Sequence, residues 1–115
     1  MTVDAPFIAA ILDSLKDPVL VADANHIVCY MNRAALAHYR GGANLLGSSL
    51  LDCHNPNSQR KMHEIMAALR QGQEEQLYED SEKRRVYMRA VRDAGDNVIG
   101  YYERFEYKEL ATLHI

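Results

Sequence analysis

Few cysteines, no long apolar run and no surplus of positive charge mark this sequence, and each shortage removes a class of protein. Cys29 and Cys53 are its two cysteines, too few for a disulfide framework, and both read as reduced thiols. No stretch reaches the roughly 18 consecutive apolar residues of a membrane-spanning helix. Asp4 stands where a secretory signal would carry positive charge, and no long apolar segment follows it, so a cytoplasmic location is expected. Thirteen Lys and Arg against 16 Asp and Glu give a formal charge of −3. That balance argues against nucleic acid as a partner, because phosphate binding needs a concentrated basic surface. The basic cluster Lys83-Arg84-Arg85 follows Glu79-Asp80-Ser81-Glu82 and reads as a solvated hairpin tip. No Gly-x-Ser-x-Gly, P-loop or His-Glu-x-x-His pattern occurs, nor any internal repeat, and an enzyme is not expected.

With 48% hydrophobic and 25% charged residues, the 115-residue chain has the makings of one ordered core. Its organising stretch is residues 18–32. Residues 19–22 and 27–31 are β-branched and apolar, and the intervening Asp23-Ala24-Asn25-His26 are turn formers that tolerate positive φ. Asn32 then suits the N-cap of an Ala-rich helix over residues 33–39.

Upstream, residues 4–15 place Phe7, Ile8, Ile11, Leu12 and Leu15 at helical spacing, with Asp4 as cap and Pro6 in the first turn. Residues 1–16 thus form an amphipathic helix, 17–107 the main domain and 108–115 a tail too short for an independent helix. Gly41-Gly42 ends the Ala-rich helix, and residues 43–51 read as an irregular stretch offering leucines to the core. Asn55 and Pro56 open a longer helix to about Gln71, with Met62, Ile65, Met66 and Leu69 on its apolar face and Gly72 as its stop. The pattern then alternates. Strands are predicted over residues 75–81, 84–93 and 98–107, with Val86, Met88 and Ala90, and Ile99, Tyr101, Glu103 and Phe105, facing inward. Helix, two strands, helices and three strands make an α+β domain whose antiparallel sheet is covered on one face.

The chain resembles the PAS domain family. The likeness is carried by residues 11–23 (Ile-Leu-Asp-Ser-Leu-Lys-Asp-Pro-Val-Leu-Val-Ala-Asp), by 27–31 with Asn32-Arg33-Ala34-Ala35, by Leu46-Gly47-Ser48-Ser49-Leu50-Leu51, and by Val91-Arg92-Asp93 through Val98-Ile99-Gly100. It implies a five-stranded antiparallel sheet of order 2-1-5-4-3 with helices enclosing a small cavity. Such domains are sensors or docking modules: some hold haem, flavin or a metabolite, and many are empty dimerisation surfaces. The Cys53-His54-Asn55-Pro56 entry to the long helix is similar to a bacterial subgroup.

Against that background the residues offer several chemistries. His63 lies on the helix that carries the iron ligand in haem-binding relatives, but the ligand position falls on Met62, about 100° away around the helix; an edge histidine is the plainer reading. Flavin chemistry is disfavoured, because Cys53 lacks the run of residues that follows the reactive cysteine in light-sensing relatives, and Arg84 and Val86 stand where polar amides would read the ring. His26, His38, His54, His63 and His114 show no metal-ligand spacing, so no metal is expected. Glu103, a carboxylate on an apolar face, would have a raised pKa and could act as a base, or pair with Arg84 at a wet strand end.

Met62, His63, Met66, Met88, Tyr101, Glu103 and Phe105 are therefore the cavity candidates, between the long helix and the inner sheet face; the methionines would equally fill a core. Phe7, Ile8, Ile11, Leu12 and Leu15 are the candidate homodimer surface, with the outer-face residues Tyr87, Val91 and Tyr102 as a second one. The expectation is a PAS-like sensory module, ligand-binding or purely dimerising. It would act in trans or within a longer regulator, and Met1 favours the first.

Overall fold

The computed structural model describes residues 3–108, apart from the side chain of Cys53; residues 109–115, with His114 and nearly all of the expected tail, lie outside the described residues. Its elements are α1 (Ala5–Ser14), β1 (Leu20–Asp23), β2 (Val28–Met31), α2 (Arg33–His38), two 3-10 turns (Gly42–Leu45 and Leu50–Cys53), α3 (Pro56–Arg70), β3 (Glu75–Asp80), β4 (Arg84–Arg92) and β5 (Val98–Tyr107). The five strands form one antiparallel sheet of order β2-β1-β5-β4-β3. This is the predicted α+β arrangement, with element ends shifted by a residue or two.

Each cap proposed from sequence is made. Asp4 accepts from Phe7 N at 3.1 Å and Asn55 from Ser58 N at 2.9 Å. The β1–β2 turn reverses through His26 at φ 67°, and α3 stops at Gly72, whose φ of 112° suits only glycine. Asn32 does more than cap α2. Fully buried, its Oδ1 accepts from Ala35 N (2.8 Å) and Val19 N (2.9 Å), while Nδ2 donates to Leu12 O (2.8 Å) and Asp17 O (3.1 Å). One side chain thereby joins α1, the hairpin and α2.

The core lies between α3 and the inner sheet face. Met62, Ile65, Met66 and Leu69 pack with Leu20, Met88 and Tyr101. Ile99 departs from the expected inner set: it is 50% exposed. The β4–β5 register slips between Val91 and Arg92, whose partners are Gly100 and Val98, so Ile99 is left as the extra residue of a bulge. The basic cluster also differs from a solvated tip. Arg84 and Arg85 lie within β4, paired to Glu79 (3.1 Å) and to Glu106 (3.3 Å) respectively. On the outer face Glu75 receives Arg89 (3.0 Å) and Arg104 (2.8 Å), and Arg104 stacks over Tyr87 at 4.3 Å.

Helix α1 is attached by polar contacts rather than by burial. The Tyr30 hydroxyl meets Ala9 O and Asp13 Oδ1, both at 3.1 Å, and Arg33 N donates to Asp13 Oδ1 at 3.0 Å. No residue of α1 is buried.

Candidate functional site

A cavity of about 540 Å³ opens between the end of α2, the two 3-10 turns and the inner face of β3–β5. Leu20, Leu45, Leu50, Val86 and Phe105 supply its apolar wall, and Tyr39, Tyr78, His54 and Glu103 its polar groups, with Glu79, Arg84, His38 and Arg40 also lining it. This is not the space beneath the long helix that the sequence suggested. There the side chains of α3 pack tightly on Met88 and Tyr101, and no α3 residue lines the cavity.

Local backbone geometry aims each polar group. Tyr39 follows the last helical residue of α2 with extended angles (φ −82°, ψ 138°), which turn its ring off the helix. Glu103 pairs with Met88 between Tyr101 and Phe105, so strand alternation carries it inward. In β3 the register slips between Leu77 and Glu79, leaving Tyr78 as a bulge residue. Both Tyr78 and Glu79 thereby reach the cavity, a re-aiming that bulges commonly produce. His54 Nδ1 lies 2.6 Å from Leu50 O, an acceptor only, so that nitrogen carries the proton.

Burial raises the Glu103 carboxyl to about 7; the neighbouring Glu79 adds to the rise, and Tyr39 and Arg84 work against it. Tyr39 thus offers the carboxyl a donor, yet it closes no aligned hydrogen bond: its buried hydroxyl has no partner among the described residues. Burial and then Glu103 push the Tyr39 and Tyr78 hydroxyls upward. Burial, then Arg84, lowers His38. Arg84 does not pair with Glu103. Its guanidinium is committed to Glu79 at 3.1 Å, lies 5.1 Å from the Phe105 ring and approaches His38 Nε2 at 3.4 Å.

Of the seven cavity candidates, Glu103 and Phe105 line this space. Met62, Met88 and Tyr101 are 0–2% exposed within the core. Met66 is buried too and borders a second cleft of about 350 Å³, where His63 stands with His26, Ala67 and Arg70. His63 is thus turned away from the larger cavity, its ring 5.4 Å from that of His26, whose Nδ1 meets the Tyr101 hydroxyl at 2.8 Å. Tyr39, Tyr78, Leu45 and Leu50 were not singled out as cavity residues from sequence, because a helix exit, a bulge and irregular turns place them. Among the described residues no three His, Cys, Asp or Glu side chains stand close enough to hold a metal ion. No helix there is long and apolar enough to cross a membrane.

The family model for the PAS fold matches residues 7–102, and the chain belongs to the PAS family. No curated protein matches it. Among solved structures it is similar to a C-terminal domain from Streptococcus mutans, at 22% identity and TM-score 0.71, over 90% of this chain and 84% of that one. It is also similar to the PAS domain of BvgS from Bordetella pertussis (20%, TM-score 0.67, 94% and 88% covered). A sensory box sensor histidine kinase from Vibrio cholerae shares the fold at 8% identity (TM-score 0.63, 91% and 92% covered).

Proposed function

We propose that the protein is a sensory or regulatory module whose signal is occupancy of the cavity by a small molecule. The observation behind this reading is the cavity itself: its size lies within the range of small-ligand sites, and its apolar wall carries a few convergent polar groups. Fold membership supports the sensory class, which the similar sensor kinase from Vibrio cholerae shares. Mass spectrometry of the purified protein, followed by a thermal-shift screen of metabolites, tests the reading. A bound compound raises the melting temperature in proportion to the logarithm of its excess over Kd. A protein that carries nothing and responds to no compound would sink the proposal.

A second reading, dimerisation through α1, is supported by its apolar surface. Phe7, Ile8, Ile11 and Leu15 are 38–49% exposed, while Leu12 is half-buried and its carbonyl is held by Asn32. Deleting residues 1–16 and measuring mass in solution tests it: a dimer that becomes a monomer supports the α1 interface, and an unchanged mass excludes it.

A further inference from the structure

The polar end of the cavity is incomplete in a specific way. Glu103 closes no well-aligned side-chain hydrogen bond among the described residues, although the Tyr39 hydroxyl stands beside it, and that hydroxyl is buried without an aligned partner. Arg84, the cation best placed to complete the carboxylate, is already engaged by Glu79. Buried polar groups in folded proteins are nearly always paired, so the unpaired Tyr39 hydroxyl, set beside a carboxyl at the edge of one cavity, marks the place of a missing partner.

An ionised Glu103 only accepts, so a partner for it must donate hydrogen bonds. A ligand carboxylate or phosphate would face Glu103 and Glu79 together, with like charges in a poorly solvated space. A hydroxyl could donate once but would leave the acid uncompensated. An ammonium group has three donors and a charge opposite to that of Glu103, and the Tyr39 oxygen can accept from it. Leu45, Leu50, Val86 and Phe105 give the space an apolar wall with the ring of Tyr78 at its side, and His38, Arg40, His54 and Arg84 complete its lining. Such walls suit a hydrocarbon or aryl body, and aromatic faces favour a nearby cation.

We propose that the cavity takes a small organic amine, its ammonium head against Glu103 and Tyr39 and its apolar body along Leu45, Leu50 and Phe105. The inference rests on the reading of this cavity as a ligand site and adds the class of ligand. Binding the cationic head holds Glu103 ionised, so amine uptake releases a proton wherever the empty site is still protonated. The charged and titratable groups around Glu103 are His38, Tyr39 and Arg40 at and just after the end of α2, His54 just after the second 3-10 turn, Tyr78 and Glu79 of β3, Arg84 of β4, and Tyr101 and Tyr107 of β5. His38 and His54 line the same cavity, which makes a Glu103 variant the necessary control.

The experiment is calorimetric titration with three probes that share a phenylethyl body and differ in their head group: 2-phenylethylamine, 2-phenylethanol and 3-phenylpropanoate. Titrations at pH 8 and pH 6, in buffers of different ionisation enthalpy, also count protons. The amine should bind at least tenfold tighter than the alcohol, and the carboxylate should not register. Proton release should accompany amine binding at pH 6 and fade at pH 8. E103Q, which keeps shape and removes the charge, should weaken the amine at least tenfold, abolish the proton release and leave the alcohol unchanged. Amide chemical shifts of Tyr39, Leu50 and Phe105 should move with the amine. If the alcohol or the carboxylate binds as well as the amine, or E103Q holds the amine at wild-type strength, the amine assignment is overturned while the cavity remains a ligand site. If none of the three probes binds the folded wild-type protein, the amine assignment fails; the metabolite screen then decides the broader reading separately.

Discussion

Gly100 and Ala22 sit so close across β5 and β1 that a Cβ on the glycine would lie 2.4 Å from the Ala22 carbonyl oxygen. Both are backbone of neighbouring strands at the centre of the sheet, so neither can yield alone. Gly100→Ala should cost about 2–3 kcal/mol, as overpacking does. Gly95→Ala, where the nearest atom at 3.1 Å belongs to the Asn97 side chain, should cost about 0.5 kcal/mol or less. Urea unfolding of the two variants checks the contrast; equal midpoints would show that the strands separate freely.

Asn32→Ala should be among the most damaging single changes outside the apolar core. It strips partners from Val19 N, Ala35 N, Leu12 O and Asp17 O together. Loss of a cap and of several buried bonds points to about 3 kcal/mol. Asn32→Asp is the sharper probe, because it keeps the accepting Oδ1 and turns the donor Nδ2 into an oxygen facing two carbonyls. Hydrogen exchange should show α1 loosening in the Asp variant before the sheet does.

Glu103 should make stability fall as pH rises from about 4.5 to about 7. Its folded carboxyl lies above the unfolded value, so the folded state holds the extra proton in that window, and stability is lost as the group is forced to ionise. The sign is opposite to that of a salt-bridged carboxylate. Glu103→Gln should flatten this part of the profile and, at pH 8, stabilise the protein by roughly 1–3 kcal/mol. Thermal melts of both proteins between pH 4 and 8 supply the difference curve, and parallel curves would disprove the buried acid.

Glu75 provides the reverse case on the outer face. Hydrogen bonds from Arg104 come first among the causes that hold its carboxyl below the usual range, with burial opposing them and Arg89 adding to them. Its contribution is present above the unfolded value and lost as pH falls through the folded one. The pair is partly exposed, so Glu75→Gln should cost about 1 kcal/mol at neutral pH, less in 1 M salt. Denaturation at two salt concentrations measures it.

Regular periodicity made the fold readable. The helical spacing of Met62, Ile65, Met66 and Leu69, the caps Asp4, Asn32 and Asn55 and the alternation in β4 and β5 all emerge where local sequence and tertiary burial agree. The cavity was legible only at Glu103 and Phe105, which alternation carries inward. Tyr39, Leu45, Leu50 and Tyr78 reach it from a helix exit, two 3-10 turns and a bulge, and no period reports which way such side chains point. Ile99 was misplaced for the same reason, since one inserted residue flips a strand's inside and outside. The methionines carried no signal that separates a cavity wall from a filled core.

Asn32 and Tyr39 bound the two ends of α2, and between them the six helical residues span about 9 Å. One end is riveted to the carbonyls of Leu12 and Asp17, where α1 closes, and the other edges the cavity beside Glu103. The cavity edge and the seat of α1 are thus separated by a single short helix, whose middle is anchored by the fully buried Ala35.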